Sequence, residues 1–253
     1  MNHKHKILLI LGAFALITLG IAVFSTIFAG EQEIAHAVAI DDWSESTPGD
    51  CFKTVELGRK AINSPQMEQG STVTFLLTGD AATANEPRSL GTFPIPVSAK
   101  VLEGEQTSAK EQEKILSTIK AKCEQALPAQ TSSIFLAVKS GAELLRNKGC
   151  KPNSAKCQMF VKSDLQENVE PQIKAALNGN AQALKKLPAP IDNRGIHLTV
   201  CGIAETKGTV TENKKERKLT PNRTAQQSDL IRQIWSGLFL EPQSVSFNPF
   251  CSN

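Results

Sequence analysis

Short apolar runs alternate with stretches of helical periodicity along most of this chain, and few architectures accommodate that alternation. Residues 36–40, His-Ala-Val-Ala-Ile, form a brief apolar run that ends in two acids. The run reads as a strand buried on both faces, as in a parallel sheet. Residues 48–63 follow, with Phe52, Val55 and Ile62 at helical spacing and Pro48 suited to a first turn. Further strand-like runs lie at 71–77, 157–161, 196–203 and 244–247. Residues 107–127 carry an apolar stripe of Ile115, Leu116, Ile119 and Cys123 closed by Pro128, and 132–148 place Ile134, Val138, Gly141 and Leu145 on one face before Gly149. Residues 169–187 read as one or two short helices, and 224–240 as a longer one with Leu230, Ile234, Trp235, Leu238 and Phe239 inward. Residues 91–99 contain two prolines, which confine that segment to a sheet edge or to irregular structure. The pattern predicts one α/β domain with a mostly parallel sheet.

The N-terminus departs from this pattern. Ile7 to Gly30 is an unbroken uncharged run, and a helix of about 24 residues at ~1.5 Å each spans ~36 Å, enough to cross a bilayer. Lys4 and Lys6 precede it, so the positive-inside rule keeps residues 1–6 cytoplasmic and sends residues 31–253 across. Secretory h-regions are shorter, about 7–15 residues. Ala35-His36-Ala37 fits a cleavage pattern but lies at the start of the first strand. The run is therefore read as an uncleaved signal anchor over 7–29, ahead of a domain over 34–248. Secretion after cleavage is the alternative.

Composition narrows the partners. The chain has 28 Lys and Arg against 25 Asp and Glu; setting aside Lys4 and Lys6 leaves 26 against 25 beyond position 30. A near-neutral domain lacks the basic excess that sequence-blind nucleic-acid binding needs. The basic stretch at 214–218 reads as a solvated surface loop. Six cysteines are present and no C-x-x-C, so the usual zinc-ribbon spacing is missing. Cys150 and Cys157 bracket a polar, turn-rich segment and are the expected disulfide in the oxidising compartment that the anchor implies. The pairing of Cys51, Cys123, Cys201 and Cys251 stays open.

The chemistry gathers at strand ends. The run 36–40 leads into Asp41-Asp42-Trp43-Ser44-Glu45-Ser46, and ligands bind at the carboxyl ends of parallel strands. Asp42, Ser44 and Ser46 make a D-x-S-x-S spacing. One carboxylate and two hydroxyls are hard oxygen ligands of the kind that suits Mg²⁺ or Mn²⁺. Thr131 precedes the helix at 132–148, and Asp164 follows the strand at 157–161 within Lys162-Ser163-Asp164.

In kind and order these residues resemble the von Willebrand factor type A domain family. The resemblance covers about residues 34–248: a strand with DWSES, a helix, a strand, an irregular edge strand, helices with QTSSIFLAVKSGAELL, a strand with SD, and a last strand, helix and strand. It implies a Rossmann-like fold, with helices on both faces of a mostly parallel sheet that has one antiparallel edge strand. It also implies a metal-ion-dependent adhesion site. There Ser44, Ser46 and Thr131 would offer hydroxyls, Asp42 and Asp164 would act directly or through water, and a partner's carboxylate would complete the octahedron. Two positions depart from the family pattern: Glu45 stands where a glycine or small residue is usual, and Leu165 where a glycine follows the aspartate.

The expected function is a binding module held on the periplasmic or extracellular side, capturing a protein partner through a metal-bridged carboxylate, and not an enzyme. The alternatives are an envelope-assembly scaffold with a vestigial metal loop and, less favoured, a metal-dependent hydrolase. The sequence has no G-x-S-x-G elbow, Gly-rich phosphate loop or H-E-x-x-H motif. His36 and His197 sit in strand-like runs and read as structural, and Trp235 reads as core. Trp43 either packs over the metal loop or stands exposed beside it. Asp80 is a turn residue or lines the same face, and Asn222-Arg223-Thr224 fits a glycosylation sequon.

Overall fold

The computed structural model describes residues 34–43, 50–65, 67, 70–79, 83, 86–95, 104–127, 131–152, 156–203, 224–248 and 251. The run 7–29, the loop 44–49 with Ser44 and Ser46, Asp80, the stretch 214–218 and Asn222 lie outside them. Among the described residues, no helix is long and apolar enough to cross a membrane.

The strands are β1 (His36–Asp42), β2 (Thr72–Thr78), β3 (Arg88–Pro94), β4 (Cys157–Lys162), β5 (Ile196–Cys201) and β6 (Val245–Asn248). They form one sheet in the order β3-β2-β1-β4-β5-β6. β1 pairs in parallel with β2 and β4, β4 with β5, and β5 with β6. β3 is antiparallel to β2 at the outer edge, where Pro94, which has no N–H to give, closes the strand. This is the mostly parallel sheet with one antiparallel edge strand that the sequence led us to expect.

Helices cover both faces. Val38 and Ile40 of β1 enter one core with residues of α3 (Ile134–Asn147), α4 (Pro171–Leu177) and α6 (Ala225–Ser236). Ala37 and Ala39 enter a second core with residues of α1 (Cys51–Ile62) and α2 (Gly104–Cys123). Alternate residues thus feed opposite layers, which is why the strand is apolar throughout. Fully burying a side chain such as Ile40 is worth roughly 1.5–3 kcal/mol. The short α5 (Ala181–Leu184) follows α4.

Capping sets the helix limits. α1 begins at Cys51, later than the position of Pro48, because the Asp50 side chain accepts from the Phe52 N–H. Ser133 caps α3 by accepting from the Leu136 N–H at 3.3 Å. Gly149, at φ 94°, ends the same helix in a conformation suited to glycine. Thr224 and Gln227 form a capping box at α6.

β1 also runs longer than its apolar segment suggests. Asp41 and Asp42 are its last residues and stay in register with Leu77 and Thr78 of β2. His36 Nδ1 lies 2.8 Å from Thr72 Oγ1, a structural role as expected. His197 lies within β5, as expected, and is the exposed residue of that strand. Trp235 is buried, as expected.

All six cysteines pair. Cys150–Cys157 is the anticipated bridge. Cys51–Cys123 ties the first residue of α1 to the last of α2, and Cys201–Cys251 ties the end of β5 to the C-terminal segment. A chain with three disulfides belongs in an oxidising compartment.

Candidate functional site

β1 and β4 lie side by side, but the chain leaves β1 toward β2 and leaves β4 toward β5. Their carboxyl ends therefore border the crevice where open α/β sheets bind ligands. β1 brings Asp41 and Asp42 to it, and β4 brings Lys162, Ser163 and Asp164.

Consecutive residues of a strand point to opposite faces, so the two acids of β1 have different surroundings. Asp41 is neutralised. Lys162 Nζ lies 2.6 Å from its Oδ1, with side chains 7% and 1% exposed. The Thr54 hydroxyl and Trp43 Nε1 both donate to its Oδ2, the latter at 3.1 Å. Trp43 is buried in the core shared with α1 and α2 rather than standing exposed.

Asp42 is 0% exposed. Ser132 Oγ donates to its Oδ1 at 2.7 Å, and Ser163 Oγ donates to its Oδ2 at 2.6 Å. Burial, and then the charge of Asp164, push its carboxyl up from the ordinary 3.8 to about 7, against the two hydroxyl bonds; Asp41 pushes the same way. These are the effects of desolvation and like charge.

Asp164 is buried and folds back on its own chain, accepting from the Gln166 N–H at 3.0 Å. Ser163 Oγ accepts from the Leu165 N–H at 2.8 Å. Leu165 has φ 59°, the positive value of a non-glycine residue among those described. A left-handed residue bearing a Cβ costs roughly 1–2 kcal/mol. In this chain the leucine side chain is fully buried in the core, and its carbonyl accepts from Trp235 Nε1 at 3.0 Å.

The site residues expected from the sequence thus divide. Asp42 and Asp164 face one crevice. Thr131 is exposed, next to Ser132. Ser44 and Ser46 lie outside the described residues. Ser132, Ser163, Lys162 and Glu167 were missed. The signals for the first two were the hydroxyl run after Gln130 and the serine before Asp164. Glu167 is 1% exposed, and burial pushes its carboxyl up while backbone N–H bonds oppose the shift.

Among the described residues, no group of three or more His, Cys, Asp or Glu is placed to hold a metal ion. A site of two carboxylates completed by hydroxyls does not need one. The donors gathered here are all oxygen, the chemistry of Mg²⁺ and Mn²⁺ rather than of thiolate- or imidazole-bound metals.

Gly79 holds the neighbouring turn. At φ 79°, a Cβ on it would lie 1.3 Å from the Trp43 carbonyl oxygen. Gly79→Ala should therefore destabilise the fold by roughly 2 kcal/mol or more, from backbone strain and steric overlap together. It should also move Trp43, which a thermal melt read by tryptophan fluorescence would detect.

The sequence matches no family profile and no curated protein. Several solved structures match in chain course. One is an aerotolerance-related membrane protein from Bacteroides fragilis, 14% identical over 87% of this chain and 92% of that one, with a TM-score of 0.40. Another is the manganese-loaded TRAP protein of Plasmodium vivax, 15% identical over 86% of this chain and 69% of that one, with a TM-score of 0.41. A third is the conserved hypothetical protein BatB from Bacteroides thetaiotaomicron, 13% identical over 87% and 92%, with a TM-score of 0.33.

Proposed function

We propose that the chain is a membrane-anchored binding module of the von Willebrand factor A type, displayed outside the cytoplasm, which captures a protein partner through a divalent cation. Asp42, Ser44, Ser46, Thr131 and Asp164 would hold Mg²⁺ or Mn²⁺, and a carboxylate of the partner would complete the coordination. One observation carries this reading: Asp42 and Asp164 are both buried at the ends of neighbouring strands, and the charge of Asp164 bears on the Asp42 carboxyl. Burying like charges together is costly, and a cation would offset that cost. The disulfides support display outside the cytoplasm. The module is proposed to bind rather than to catalyse.

The test is capture of surface proteins on the immobilised full chain, in Mg²⁺ and in chelator, with Asp42→Ala as a second bait. A partner of the proposed kind is retained by wild type in Mg²⁺ and lost both in chelator and on the variant. Equal retention in all three conditions would rule out a metal bridge.

A further inference from the structure

We infer that Glu167 is a positioning residue that fixes the distance between two parts of the cation site, Asp164 and Thr131; the inference rests on the metal-binding reading above. One part, Asp164, sits in the segment after β4. Another, Thr131, sits in the segment before α3. These are separate stretches of chain, and a site that draws on both needs them held at a fixed distance.

Glu167 makes that connection. Its Oε2 accepts from the Phe135 N–H in the first turn of α3 at 2.8 Å. Its Oε1 accepts from the Val169 and Glu170 N–H groups at 2.8 and 2.9 Å. One carboxylate thus satisfies a helix terminus that has no intrahelical acceptor for that N–H, and folds its own segment into a fixed turn. Glu167 lies three residues from Asp164, and Phe135 three from Ser132. The clamp therefore joins the two segments within a few residues of Asp164 and Thr131. The Trp235 bond to the Leu165 carbonyl holds the same segment from α6, and Ser132 and Ser163 meet on the Asp42 carboxylate; Glu167 adds the direct bond from this segment to the backbone of α3. Residues that orient metal ligands without touching the metal commonly matter about 10–100-fold in affinity.

Glu167→Gln separates this role from general stability. The amide keeps one oxygen, so it can accept on one side of the clamp but not on both. The full-length protein is titrated with Mn²⁺ alone by calorimetry, and its melting is followed in chelator. Glu167→Gln should weaken Mn²⁺ binding about tenfold or more, with Glu167→Asp falling between it and wild type. Ser133→Ala is the control. It removes the α3 cap but leaves the clamp, so it should lower the melting temperature in chelator without changing Mn²⁺ affinity. If Glu167→Gln melts lower yet binds Mn²⁺ as wild type does, Glu167 is structural only and the inference fails while the metal site stands. If wild type itself takes up no Mn²⁺, the metal site fails and this inference with it.

Discussion

Lys162→Met should destabilise the protein by about 3–5 kcal/mol, the usual cost of breaking a buried ion pair from one side. Methionine keeps the unbranched stem but removes the cation that neutralises Asp41, a carboxylate 1% exposed. The two hydrogen bonds from Thr54 and Trp43 remain, but they do not replace a full charge. Replacing both partners, as Lys162→Met with Asp41→Asn, should recover most of the loss, because the penalty lies in the unpaired charge rather than in the bond. Urea denaturation of the two variants beside wild type measures this. A single variant within about 1 kcal/mol of wild type would mean that the pair behaves like an exposed one.

The second large effect concerns Asp42, on the opposite face of the same strand. Its carboxyl is pushed up to about 7, from 3.8, by burial and then by Asp164. A group whose folded-state pKa is raised stabilises the fold fully below its unfolded value and loses that contribution as pH rises through the folded one. Metal-free protein should therefore lose stability between about pH 4 and pH 7, by up to about 4 kcal/mol from this group. The raised Glu167 adds in the same direction. Asp42→Asn, which cannot ionise, should flatten the profile, and so should saturating Mn²⁺. Denaturation in chelator at about pH 5 and about pH 8 reads the difference. A metal-free protein more stable at the higher pH, with Asp42→Asn behaving alike, would show that Asp42 is ionised without cost.

Most of the fold was legible because burial on two faces leaves a plain mark. Ala-Val-Ala-Ile at 37–40 could only be an inner strand, and the stripe of Leu116, Ile119 and Cys123 fixed the inward side of α2. What escaped was decided by tertiary pairing. Two acids closing an apolar run look like the start of a loop. They remain in β1 because β2 and β4 continue alongside and Lys162 neutralises one of them. His197 lies in a strand, as its neighbours implied, but its exposure could not be read from them, since β6 beside it is a short outer strand.

The site was legible in part for the same reason. A D-x-S-x-S spacing and an aspartate after a strand are local patterns, and they singled out Asp42 and Asp164. Ser132 and Ser163 reach Asp42 from 90 and 121 residues away in sequence, and no local pattern reports such a contact. Glu167 is a lone glutamate in a polar segment, and only the fold shows that it meets the first turn of α3. Leu165 stood out in the sequence as a leucine where the resemblance implies a glycine, and its φ of 59° is the backbone conformation that glycine adopts most readily.

The central claim is that Asp42 and Asp164 hold a divalent cation, and titration calorimetry of the full-length protein with Mn²⁺ tests it most directly, paired with a thermal melt. A ligand that binds only the folded state stabilises it by about 2.7 kcal/mol at 100 times its dissociation constant. At roughly 2–4 °C per kcal/mol for a chain of this size, saturating Mn²⁺ should raise the melting temperature by about 5–11 °C over chelator. Binding of one ion with that shift, both abolished in Asp42→Ala, is the predicted result. Identical melting in Mn²⁺ and in chelator, with no heat of binding at millimolar metal, would contradict the account and leave a fold whose metal loop is vestigial.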